Sequence, residues 1–223
     1  MKGNPLRERL ESDGVSIGTR MQTQWPGLLE IIGQTDRFDY VEFLAEYAPY
    51  DLRDLENLAR AAELSGLSMM IKIDAENRAF VAQRAMAAGI QNYASPEEVV
   101  EWCEDAVIAV MVEKDETVEN LEEILAIGEI DMVQFGPADY SLSIGKPGQY
   151  DDPEVRQAER TTIETALDMG VAPRAEINHP DEAGAYLDLG VRDFNLATDT
   201  KIIHDWYDEQ VDRLAAATEG FSR

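Results

Sequence analysis

Cysteine, histidine, lysine and long apolar runs are all scarce in this chain of 223 residues, and each shortage closes off a class of protein. A single cysteine, Cys103, excludes an internal disulfide and fits a reducing compartment. No stretch approaches the roughly 20 apolar residues that span a bilayer. The opening Met-Lys-Gly-Asn-Pro carries no apolar signal region, so a soluble, cytoplasmic protein is expected. Positive charge is thin: 19 Lys and Arg stand against 45 Asp and Glu, a net charge of −26, which argues against nucleic acid and anionic membranes as partners. The basic residues are mostly arginine, and the five lysines are Lys2, Lys72, Lys114, Lys146 and Lys201. The acidic residues are spread along the chain rather than gathered in a tail, so the pattern is a coat and not a disordered segment. Such a coat suits high salt, where screening removes self-repulsion; an ordinary acidic protein is the alternative. No Pro/Gly/Ser-rich linker divides the chain, so residues 1–223 are expected to form one domain.

What is there is an alternation of short apolar runs and amphipathic segments. Strands are expected at 16–21, 40–45, 68–73, 172–177 and 194–197. Helices are expected at 6–12, 26–33, 51–65, 78–88, 96–104, 153–169, 180–189 and 201–217. Alternation of this kind indicates an α/β fold with parallel strands. Two further runs are the most informative. Ala106 to Lys114 ends at Glu113, and Asp131 to Ser141 contains Phe135-Gly-Pro-Ala-Asp139. One amphipathic helix, 116–126, separates them. A β-α-β unit makes the two strands parallel and puts their C-terminal ends on one face. Glu113 and Asp139 then lie side by side at the mouth of a barrel or sheet. Two hard oxygen ligands there suit a divalent cation; two solvated loop carboxylates are the plainer account. Seven strands are easily placed, and an eighth would have to lie near 89–93, before the helix at 96–104.

The segment from Glu113 to Ile124, Glu-Lys-Asp-Glu-Thr-Val-Glu-Asn-Leu-Glu-Glu-Ile, followed by Phe135-Gly-Pro-Ala-Asp-Tyr-Ser-Leu-Ser-Ile-Gly145, resembles the HpcH/HpaI family of metal-dependent (class II) pyruvate aldolases. The resemblance extends upstream to Phe38-Asp39-Tyr40 and Glu46-Tyr47-Ala48-Pro49, and downstream through Asp152-Pro153-Glu154-Val155 to Phe194–Asp199. It implies a (β/α)₈ TIM barrel, here with a shortened or missing fourth β-α unit between Ala88 and Ala106. It also implies a homo-oligomer, trimer or hexamer, with the C-terminal helix at 201–217 packed on a neighbouring subunit. The implied chemistry is reversible aldol cleavage of a 2-oxo-4-hydroxy acid to pyruvate and an aldehyde. Decarboxylation of an oxaloacetate-type 2-oxo acid and non-catalytic binding of a 2-oxo acid are the alternatives. The implied cofactor is a divalent metal, Mg²⁺ or Mn²⁺ with Co²⁺ as a further candidate, held by Glu113 and Asp139. Backbone around Gly136, Pro137 and Ala138 would hold the pyruvate carboxylate.

The chain departs from that family at two positions. The loop after the second strand reads Leu44-Ala45-Glu46-Tyr47, so Tyr47 replaces the family's general-base histidine and Leu44 replaces the aspartate that assists it. The two histidines elsewhere are His179, read as a surface or cap residue, and His204, read as structural. Lys72, at the end of the third strand, stands where the family carries arginine. A lysine supplies the charge without the forked geometry; it can also act as a base or form a Schiff base. Lys72 and Tyr47 are therefore the candidate catalytic residues. Arg174 and Glu176 share one face of the sixth recognised strand, either as an ion pair in the barrel mouth or with Arg174 contacting substrate.

Overall fold

The computed structural model describes residues 3–12, 14–74 and 95–218. The helix expected at 78–88 and the strand expected near 89–93 lie outside them. The elements, in chain order, are α1 (Pro5–Leu10), β1 (Ser16–Met21), α2 (Pro26–Gly33), β2 (Tyr40–Phe43), α3 (Leu52–Ser65) and β3 (Ser68–Ile71). After these come α4 (Pro96–Glu104), β4 (Ala109–Val112), α5 (Asp115–Glu119), α6 (Leu121–Leu125), β5 (Met132–Phe135) and α7 (Pro137–Ser143). The last are α8 (Pro153–Met169), β6 (Ala172–Ile177), a 3₁₀ turn (Pro180–Glu182), α9 (Ala183–Leu189), β7 (Asp193–Thr198) and α10 (Asp199–Ala217).

The seven described strands form one parallel sheet in the order β3-β2-β1-β7-β6-β5-β4. Its edge strands, β3 and β4, do not pair with each other. Yet Lys72, just past β3, reaches Glu113, just past β4, at 3.4 Å. The sheet therefore curls until its edges are within side-chain reach, giving a half-barrel among the described residues. Alternation along each strand sorts the side chains between two cores. Outward residues such as Val41 and Phe43 pack on Leu29 of α2 and on Leu55 and Leu58 of α3. Val112, Val133 and Phe135 pack on Leu121, Leu125 and Val155. Ala175 and Phe194 pack on Ile163, with Tyr186 of α9 alongside. Inward, Tyr40 and Met132 meet Leu6 of α1, so the N-terminal helix plugs the floor. Arg7 fastens that plug, pairing with Asp131 at 2.5 Å.

Higher in the interior the lining turns polar. Glu42, Gln134, Arg174 and Asn195 are all buried. The Arg174 guanidinium donates to Glu42 at 2.8 Å, to Gln134 Oε1 and to the Met70 sulfur. Asn195 Nδ2 donates to the other Glu42 oxygen at 2.6 Å. Nearer the mouth Arg20 pairs with Glu176, and its Nε donates to the Ala197 carbonyl at 3.1 Å. Arg174 and Glu176 thus each have a different partner, Glu42 and Arg20, rather than each other. Among the described residues no helix is long and apolar enough to cross a membrane.

Candidate active site

The C-terminal ends of the strands gather most of the expected site residues. The turn after β2 is tied to β3 by two backbone hydrogen bonds, Lys72 N–H to Phe43 O at 2.9 Å and Glu46 N–H to Lys72 O at 3.1 Å. This lacing sets the Glu46 and Lys72 side chains together, and their ion pair is 2.9 Å long. The Lys72 ammonium also donates to the Tyr47 hydroxyl at 3.2 Å and lies 5.0 Å from the centre of its ring, within cation–π range. Its third neighbour is Glu113. Burial pulls the Lys72 ammonium down, but its hydrogen bonds to Glu46 and Tyr47 and the charge of Glu113 outweigh that, and its pKa is raised. These partners favour the ammonium form, in which the side chain acts as a hydrogen-bond donor. Burial also raises the Tyr47 pKa, so its hydroxyl, which accepts from the Lys72 ammonium, stays protonated and is a poor base.

Glu113 rises from the end of β4, half-buried. Burial raises its pKa, the Lys72 charge opposes this, and the Asp139 carboxylate pushes it up again. Asp139 belongs to the first turn of α7, which Pro137 opens as the first helical residue. Gly136 joins β5 to α7, and its N–H donates to Val112 O at 2.9 Å, binding the two strand ends together. A Cβ on Gly136 would sit 2.7 Å from Glu113 Cγ, so only glycine lets the Glu113 side chain lie across that junction. In the first turn of α7 the N–H groups of Ala138 and Asp139 have no helical carbonyl to bond. Both residues are exposed at the mouth.

Two repelling carboxylates at a strand-end junction fit a small divalent cation whose other positions are filled by water or substrate oxygens. Among the described residues no cluster of three or more His, Cys, Asp or Glu is arranged to hold an ion. The structure thus brings Lys72, Tyr47, Glu113, Gly136 and Asp139 together. It places Arg174 below them, with its donors spent on the interior. His179 lies apart, capping the turn that begins at Pro180, and His204 lies exposed on α10 beside Asp205. Two members of the mouth were not singled out from the sequence, Glu46 and Arg20. An arginine at an inward position of β1 was the available signal for Arg20.

A family model described as HpcH/HpaI aldolase/citrate lyase matches residues 69–205. A 2-keto-3-deoxy-L-rhamnonate aldolase of Escherichia coli O17:K52:H18 (strain UMN026) is 25% identical over 260 positions, covering 97% of this chain and 95% of that protein. Those 260 positions exceed the 223 residues here, so the relative carries stretches this chain lacks. The solved HpcH/HpaI aldolase of Desulfitobacterium hafniense DCB-2 superposes with a TM-score of 0.86 at 21% identity, covering 98% of this chain and 99% of that one. An HpcH/HpaI aldolase/citrate lyase family protein of Burkholderia cenocepacia J2315 gives 0.81 at 20% identity, covering 95% and 99%. At such identities these structures speak for the fold.

Proposed function

The chain belongs to the HpcH/HpaI aldolase/citrate lyase family, and from that premise we propose that it cleaves a 2-oxo-4-hydroxy acid, reversibly, into pyruvate and an aldehyde. It is a carbon–carbon lyase. The name of the E. coli relative points to a deoxy-sugar acid as the substrate class. The observation that carries the proposal is the strand-end junction where the Lys72 ammonium meets the Glu113 carboxylate at 3.4 Å and Gly136, lacking a Cβ, leaves room for the Glu113 side chain.

Glu113 and Asp139 would hold Mg²⁺, Mn²⁺ or Co²⁺, which when bound supplies Lewis-acid polarisation of the substrate's 2-oxo group. The residues of the chain do the rest. Lys72 sets its ammonium against the charge that develops on the 2-oxo oxygen as the bond breaks. The free N–H groups beside Gly136, Pro137 and Ala138 face the substrate carboxylate. Tyr47 closes one wall and donates through its hydroxyl. Arg174 supports the mouth from below through Glu42. We propose the complete fold as a (β/α)₈ barrel with a shortened or missing fourth β-α unit. We also propose that α10 packs on a neighbouring subunit of a trimer or hexamer, because Ile202, Ile203, Trp206, Tyr207, Val211 and Leu214 lie exposed along one side of it.

The test is NMR of pyruvate methyl-proton exchange in D₂O at high salt, with Mn²⁺ or Mg²⁺ and then with EDTA. Exchange that needs the metal and disappears in Glu113→Ala is the expected result. Exchange that survives EDTA, with borohydride trapping pyruvate on Lys72, would replace this chemistry with a Schiff base.

A further inference from the structure

We propose that Glu46 is the proton-transferring carboxylate of this site, taking the position that the absent histidine–aspartate pair leaves open. This inference rests on the lyase reading above and names the residue that reading lacks.

Aldol cleavage needs a group that removes the C4 hydroxyl proton and later protonates C3. Among the described residues the candidates at the mouth are few, and the Glu176 carboxylate is already paired with Arg20. Lys72 already meets three partners, Tyr47, Glu46 and Glu113. Tyr47 is a phenol whose oxygen already accepts from the Lys72 ammonium at 3.2 Å. Glu113 and Asp139 are committed to the cation. His179 and His204 lie on the turn after β6 and on α10, and neither joins the cluster. Glu46 remains. Its side chain is about a third exposed at the mouth (31%) and is anchored by charge-assisted bonding to Lys72 at 2.9 Å. A carboxylate accepts through about four lone-pair sites, so sites remain for substrate beside the Lys72 bond.

The arrangement gives each proton and electron pair a destination. Glu46 takes the proton from the C4 hydroxyl as the C3–C4 bond breaks. The C4 oxygen becomes the aldehyde carbonyl. The electron pair of the broken bond passes to C3 and on to the 2-oxo oxygen, whose negative charge forms beside the Lys72 ammonium. Glu46 then returns its proton to C3, giving pyruvate, and is again a carboxylate. Lys72 thus does two things, fixing the base through a hydrogen bond and setting its positive charge beside the forming oxyanion. Methyl-proton exchange of pyruvate uses the last of these transfers in both directions.

Glu46→Gln is the discriminating variant. Its amide oxygen still accepts from Lys72, so the cation stays in place, while the side chain takes no proton. With Mg²⁺ and pyruvate as the probe in D₂O, the exchange rate should fall by roughly 100-fold or more. The pyruvate dissociation constant should stay within about threefold, and Glu46→Asp should recover part of the rate. Exchange that survives in Glu46→Gln would overturn the assignment. So would a loss matched by an equal loss of pyruvate binding, which would leave Glu46 as a holder of Lys72 only. Failure of the wild type itself to exchange, with metal present and the protein folded, would overturn the lyase reading beneath it.

Discussion

A guanidinium sealed inside a half-barrel is tolerable only because each of its nitrogens meets a partner. Arg174 Nε reaches Gln134, one terminal nitrogen reaches the Met70 sulfur and the other reaches Glu42. Burial pulls its pKa down, yet the Glu42 charge prevails and the pKa is raised. Arg174→Met should therefore cost about 3–5 kcal/mol, because it strands the Glu42 charge in the interior. Pairing it with Glu42→Leu should return most of that loss, and denaturant midpoints of the three variants check both. Asp193 is the opposite case. It is buried at the foot of β7, its carboxylate takes a 2.5 Å hydrogen bond from the Ser16 hydroxyl, and Arg174 and Asp39 act on it with opposite sign. Burial dominates and its pKa is raised. A carboxyl raised in the folded state binds its proton more tightly there than in the unfolded chain. Stability then falls as pH rises through the interval between the two values and is flat above it. Asp193→Asn should accordingly melt at a higher temperature than wild type at pH 7 and show no such gain at pH 3. An equal gain at both would mean that packing, not charge, is responsible.

At the scale of elements, caps made α8 easy to read. Asp152 accepts from the Glu154 N–H, Pro153 opens the helix, and Gly170 ends it at φ 75°. The strands β1 and β6 also keep their expected bounds. The single helix expected over 116–126 instead breaks into α5 and α6 at Asn120, whose φ of −107° is not helical. The Asn120 side chain donates to Glu116 O at 2.7 Å, a local bond that competes with the ladder. The Gly136-Pro137 pair opens a short helix, because proline is suited to a first helical position. At this β5–α7 junction Gly136→Ala is instructive. Its φ of −106° suits any residue, so the fold should persist, but the new Cβ would press on Glu113. Mn²⁺ affinity should fall about 10–100-fold, the range for a disturbed ligand support. Calorimetric titration measures it, and unchanged affinity would remove Glu113 from the cation site.

For the whole molecule, charge and exposed apolar surface make two predictions. A net charge of −26 on 223 residues repels itself, so screening should stabilise the fold. The melting temperature should rise steadily from 0.1 M to 2 M NaCl by about 10 °C or more, several times what a single surface pair contributes. No rise would mark the acidity as ordinary. On α10, Trp206 is 57% exposed and stacks edge-on against Tyr207, beside Ile202 and Ile203. Trp206→Asp should convert the proposed oligomer to a monomer by light scattering. A wild type that is already monomeric at high salt would remove that interface.

The sequence by itself determined the alternation of strands and helices, the parallel sheet and the family, because apolar period, caps and the Glu113–Gly145 segment are all local signals. It also marked Lys72, Tyr47, Glu113, Gly136 and Asp139, each sitting at or just after the end of a strand. Which of these meet was decided only by the tertiary structure. Curling the sheet brings its two edges together, and that alone sets Lys72 against Glu113 across a sequence separation of 41. The same closure turned Arg174 inward to Glu42 and gave Glu176 to Arg20, pairings that depend on register between strands far apart in sequence. Glu46 became visible as a site residue for the same reason: its neighbour Lys72 is supplied by the next strand, not by its own turn.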